Sequence, residues 1–134
     1  MPEASFTVDV VSGVPVVATP EEVDIANVAG LRTALLEAST RTPGTLVVDM
    51  SGTEFCDSSG IHVLVRAHKR AQSDGGELLM VVSPTAVART FAVTGIDRLI
   101  SSFSSLDEAL AHAHAAPFSP PIALPDPSPA ATST

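Results

Sequence analysis

Two continuous apolar runs, "TLVVDM" (Thr45–Met50) and "ELLMVV" (Glu77–Val82), set the narrowest limits on how this chain folds. Neither shows the apolar–polar alternation of a half-exposed strand. Such runs suit interior strands of a covered sheet. Between them, Ile61, Leu64 and Val65 mark one side of a segment, and His62, Arg66, Lys69 and Arg70 mark the other. That spacing predicts an amphipathic helix, stopped by "SDGG" at Ser73–Gly76. Strand, helix and strand in that order close as a right-handed parallel crossover.

The rest of the chain extends this unit. Ser5–Val11 and Val14–Ala18 are β-rich runs separated by "SG" and predict a hairpin. Ile25, Val28, Leu31, Leu35 and Ala38 recur at helical spacing, with Asp24 as the expected N-cap. "SPTAVARTFAVTG" predicts a helix capped by Ser83, with Pro84 at its first position and Gly95 at its C-terminus. "IDRLISSF" holds a short strand, and "SSLDEALAHAHA" predicts a last helix capped by Ser104 or Ser105. The order β-β-α-β-α-β-α-β-α predicts an α/β fold. It is a single domain with a mixed β-sheet of four to five strands and about four α-helices, packed mainly on one side. From Ala116 the character changes: residues 116–134 hold six of the 11 prolines and no periodicity, and are expected to be a Pro/Ala/Ser-rich disordered tail.

Composition narrows the function classes. The 134 residues suffice for one core, 45% are hydrophobic and mean hydropathy is +0.32. Aromatics are only 4%, with no Trp or Tyr, so there are few platforms on which bases or sugars could stack. Fifteen acids against seven Lys and Arg give a net charge of −8, which repels polyanions at long range. No direct nucleic-acid partner is expected. The single cysteine, Cys56, excludes an internal disulfide and reads as a small core residue in a reducing compartment. No apolar run approaches the ~18 residues that span a bilayer. A cytoplasmic protein with no membrane partner is expected.

Most enzyme motifs are absent. Neither G-x-x-x-x-G-K-[ST] nor G-x-G-x-x-G occurs, and there is no G-x-S-x-G elbow. His62 and His68 fall on different sides of one helix, and His112 and His114 are two apart on another. Neither pair makes a metal site, and all four histidines are expected to be solvated. No cofactor, no metal and no catalytic residue is expected.

The one polar cluster that invites a function is "DSSG", Asp57, Ser58, Ser59 and Gly60. It joins the carboxyl end of a strand to the start of a helix, where open α/β sheets gather functional groups. Helix capping alone explains an acid or hydroxyl at such a place. Two hydroxyls allow a division, one capping and one facing outward. A hydroxyl at a helix N-terminus is a good phosphate acceptor, because the added charge of about −1.5 to −2 meets the positive end of the dipole. Beside Asp57 and Glu54, the same charge would make the surface sharply more negative.

"DMSGTEFCDSSGIHVLVRAHKRA" resembles the signature of the STAS-domain anti-sigma factor antagonists of bacteria, roughly D-x-S-x-x-x-F-x-D-S-S-G-[IL]-x-x-L. Asp49, Ser51, Phe55, Asp57, Ser58, Ser59, Gly60, Ile61 and Leu64 fall on that pattern. The resemblance runs over residues 5–115 and includes Glu22 and Asp24, "LRTALLEA", "GGELLMVVSPTAVARTFAVTGI" and "SLDEALAHA". It implies one STAS domain over residues 1–115 and a partner-binding switch. The unphosphorylated protein would bind an anti-sigma factor that is itself a serine kinase, and release the sigma factor. Phosphorylation of Ser58 would end binding, and a metal-dependent serine phosphatase would restore it. The resemblance assigns Ser58 as phospho-acceptor and Asp57 as its orienting neighbour, with Ser59 and Gly60 shaping the loop. Asp24 would line the same partner-binding surface. The chain departs from the pattern at Glu21, where the family commonly has glycine, and at His62, where a small residue is frequent.

Two other readings are open. The same domain serves as a scaffold or regulatory module in larger stress-sensing assemblies. A receiver domain phosphorylated on Asp57, or a small hydrolase, fits less well: the first strand lacks a following acidic pair for Mg²⁺, and no lysine follows "ELLMVV". Nothing in the sequence marks a tight dimer, so a monomer or weak dimer is expected.

Overall fold

The computed structural model describes residues 6–115; the expected tail at 116–134 lies outside them. In chain order the elements are β1 (Thr7–Val11), β2 (Val14–Ala18), β3 (Glu22–Val23), α1 (Val28–Arg41), β4 (Leu46–Met50) and β5 (Phe55–Cys56). There follow α2 (Ser58–Ser73), β6 (Leu78–Val82), α3 (Ala86–Thr94), α4 (Ile96–Leu99), β7 (Ser101–Phe103) and α5 (Leu106–Ala115). The main sheet has five strands in the order β1-β2-β4-β6-β7. Its first pair is the expected antiparallel hairpin, turned by Ser12 at φ 53° and Gly13 at φ 83°. Every other pair in it is parallel.

The apolar runs are now explained by register. Val17, Val48 and Met80 are neighbours on one face of the sheet, and Val16, Val47 and Leu79 on the other. The first set packs into the larger core with α1, α2 and α3, and the second packs with Ala109 and Leu110 of α5. With both faces covered, the central strands have no polar side to show. Four helices thus share one side, and α5 alone lies on the other.

Three expectations fail locally. α1 begins at Val28, not near Ile25, and Asp24 is not its N-cap. Asp24 and Asn27 instead close a turn: Asp24 N–H donates to Asn27 Oδ1 at 2.9 Å, and Ala26 N–H donates to Asp24 Oδ1 at 3.0 Å. Side-chain bonds of this kind compete with the helix. Ile25 is therefore 75% exposed although its spacing fits the core. α3 is capped by Thr85, whose hydroxyl accepts from Val87 N–H, and not by Ser83. His68 is buried, not solvated. Its Nδ1 accepts the N–H of Leu78 at 3.2 Å, tying the last turns of α2 to the start of β6. The single-turn α4 was not expected either.

The end of α2 is fixed a second way. A Cβ on Gly76 would stand 2.2 Å from the backbone nitrogen of Thr45 and 2.4 Å from the carbonyl carbon of Gly44. Only glycine lets the α2–β6 connection cross the α1–β4 connection there.

Candidate functional site

The site is built from two connections at the same end of the sheet. After β4, Asp49 Oδ1 accepts the N–H of Ser51 at 3.0 Å and Thr53 turns inward. The Thr53 hydroxyl is buried, bonded to Pro20 O at 2.6 Å and to the Thr19 hydroxyl. Glu21 O accepts from Glu54 N–H and Phe55 N–H, so β3 and β5 run side by side as a separate two-stranded parallel ribbon. Glu21, the departure from the family pattern, thus enters the ribbon with negative φ. β3 delivers the Asp24–Asn27 turn, and β5 delivers the start of α2.

Asp57 joins the two. As N-cap of α2, its Oδ1 accepts from Ser59 N–H at 3.0 Å, from Gly60 N–H at 3.3 Å and from the Ser59 hydroxyl. Its other oxygen, Oδ2, accepts the N–H of Ile25 at 3.1 Å across 32 residues of sequence. The Ser59 hydroxyl, then the backbone donors, hold the Asp57 carboxyl below its ordinary 3.8. Asp57 is therefore a carboxylate at neutral pH. Its oxygens are spent on Ser59, Gly60 and Ile25, not on Ser58.

Ser58 is the first residue of α2, and it is exposed. The expected division of labour is visible: Ser59 turns back on the cap, and Ser58 faces outward. Gly60 is buried under the ribbon, where a Cβ would lie 2.6 Å from Cys56 Sγ and 2.9 Å from Val23 Cγ1. Its absence of a side chain lets α2 begin directly against β3 and β5. Cys56 itself is core: burial, then the charge of Asp57, pushes its thiol up to about 12.

The arrangement brings Asp24, Asp57, Ser58, Ser59 and Gly60 together. It adds two apolar residues whose exposure here the sequence did not foretell, Ile25 at 75% and Phe55 at 50%. They stand in the two connections that Asp57 joins. The Asp24–Asn27 turn was the one available signal for Ile25. For Phe55 the family pattern marked the position, but a two-residue strand carries no period from which its exposure could be read. No group of three or more His, Cys, Asp or Glu among the described residues comes together as a metal site. No helix among them is long and apolar enough to cross a membrane.

Comparison with known proteins agrees with this geometry. The STAS domain family profile matches residues 5–109. The anti-sigma-F factor antagonist RsfB of Mycobacterium tuberculosis is 30% identical over 108 residues, covering 79% of this chain and 88% of RsfB. The crystal structure of an anti-sigma factor antagonist from Mycobacterium paratuberculosis superposes with a TM-score of 0.75 at 27% identity, over 82% of this chain and 93% of that one. A STAS-domain protein from Planctomyces limnophilus gives 0.69 at 29% identity, over 82% and 98%. The profile match over residues 5–109 and the 30% identity to RsfB over 88% of its length settle the family: the chain belongs to the STAS-domain anti-sigma factor antagonists.

Proposed function

We propose that this chain is an anti-sigma factor antagonist of the cytoplasm, a binding protein rather than an enzyme. Its unphosphorylated form binds an anti-sigma factor serine kinase and frees the sigma factor. Phosphorylation at Ser58 turns that binding off, and a metal-dependent serine phosphatase resets it. The observation that carries the reading is the exposed Ser58 hydroxyl on a start of helix that Asp57 already holds rigid. A kinase can take this hydroxyl without dismantling the cap.

The chemistry is a single transfer. Ser58 Oγ attacks the γ-phosphorus of ATP held by the partner kinase. The Oγ–P bond forms, the bond to ADP breaks, and the hydroxyl proton passes to a base of the kinase. The product adds a charge of about −1.5 to −2. Ser59 N–H and Gly60 N–H already donate to Asp57, so the new phosphate meets an ionised carboxylate where an empty cap would have offered donors. Glu21, Glu22 and Glu54 are exposed on the same connections. The surface changes charge without refolding. Ile25 and Phe55 supply apolar contact area for the docked partner, and like charge across that contact is what expels it.

Titration calorimetry against the purified anti-sigma factor tests this. Wild type and Ser58→Ala bind alike, and Ser58→Asp or the phosphoprotein binds at least ~10-fold more weakly. Equal binding by all forms contradicts the switch and favours the scaffold role.

A further inference from the structure

A groove of about 200 Å³ opens between α1 and α2, well along α2 from Ser58. Its floor is apolar, formed by Leu35, Leu46 and Val63 among others. Its rim carries three arginines, Arg32 from α1 and Arg66 and Arg70 from α2. The chain has only seven Lys and Arg against 15 acids, so nearly half of its cations surround one cavity. Among the described residues none of the three is paired with an acid; the ion pairs found there are Arg41–Glu37 and His112–Glu77. Arg66 and Arg70 stand one turn apart, a spacing at which like charges weaken a helix. Helix stability therefore does not explain them.

Apolar floor and cationic rim together specify one class of ligand. We propose that this groove binds a small free amphipathic anion: a carboxylate on a short alkyl chain, its chain on the floor and its head among the guanidiniums. Arginine suits the head, since its planar fork meets a carboxylate with two parallel bonds. The volume suits the chain, being room for several methylenes and too small for a long lipid. Arg66 lies eight residues along α2 from Ser58, roughly 12 Å, so the ligand does not touch the phospho-acceptor. It would bridge α1 and α2, the two helices that follow the connections joined by Asp57.

The test is a titration of the full-length ¹⁵N-labelled protein with octanoate, read by amide shifts, with octanol and inorganic phosphate alongside. The expected result is saturable shifts confined to α1 and α2 around the groove, with octanol and phosphate each much weaker. Arg66→Gln/Arg70→Gln, both exposed positions, should weaken octanoate about 10-fold at an unchanged melting temperature. Octanol binding as well as octanoate, or octanoate binding unaffected by the double substitution, overturns the proposal. So do groove amides that move with protein concentration alone, which would make the occupant a second copy. Loss of anti-sigma factor binding in the double variant, with no octanoate site in wild type, would reassign the groove to the protein partner.

Discussion

The two ends of α2 are made of similar residues and do opposite things. At its C-terminal end every special residue is consumed by the fold. His68 accepts a strand N–H, and Gly76 lets two backbone connections cross in contact. At its N-terminal end the same kinds of device, a polar side chain at a helix terminus and a glycine under it, hold the loop but leave one hydroxyl outside. Asp57 and Gly60 do the structural work there, and Ser58 is exposed. The proposed phospho-acceptor is thus the polar group that the cap does not need.

The largest effect that sharpens this comparison is at Gly76. Gly76→Ala sets a Cβ against backbone on two sides, and no rotamer relieves it. A loss of more than about 3 kcal/mol is expected in urea denaturation. Gly60→Ala meets side chains of Cys56 and Val23 that can yield in part, and should cost about 2 kcal/mol.

His68→Ala should also cost about 2 kcal/mol, by leaving the N–H of Leu78 without an acceptor in a buried place. Burial, partly offset by the charge of Glu77, lowers the His68 pKa below 6.5. The neutral ring is the form the fold uses, because only it can accept that N–H. Its contribution is complete above about pH 6.5 and is lost as pH falls towards the lowered folded value. The stability of wild type should therefore decline as pH falls below about 6.5, and that limb should flatten in His68→Ala.

Asp57→Ala comes next. It removes the acceptor for Ser59, Gly60 and Ile25, and should lower the melting temperature by roughly 5 °C. The carboxyl is held below 3.8 in the folded protein, so its contribution is present above about pH 4 and fades as pH falls through the lowered value. The acid-side difference between wild type and Asp57→Ala should vanish there. Amide exchange at Ile25 should quicken in the variant even at neutral pH, since its bond to Asp57 is gone.

Ser58→Ala sits at the other extreme. An exposed residue that the cap does not use should change the melting temperature by no more than about 2 °C. A larger loss would place Ser58 with Asp57 among the structural residues and erase the contrast between the two ends.

Much of this contrast was legible in the sequence. The apolar runs of β4 and β6 gave away the covered sheet, and D-S-S-G stood at a strand-to-helix junction where a site is expected. The rest was hidden for identifiable reasons. β3 and β5 are two residues each and have no period to read. Ile25 keeps helical spacing with Val28 and Leu31, but hydrogen bonds of Asp24 and Asn27 hold it out of the helix. His68 lies in the amphipathic run with charged neighbours, and its buried ring accepts the N–H of Leu78 ten residues away. At Ile25 and His68 a non-local or side-chain hydrogen bond outweighed a pattern of apolar spacing.

The central claim is that Ser58, and not its neighbour, is the hydroxyl given over to regulation. Incubation of wild type, Ser58→Ala and Ser59→Ala with the anti-sigma factor kinase and Mg-ATP, followed by intact mass and site mapping, tests it most directly. The account predicts one phosphate on Ser58 in wild type and in Ser59→Ala, and none in Ser58→Ala. Phosphate on Ser59, or on Ser58→Ala at an unchanged level, would contradict it.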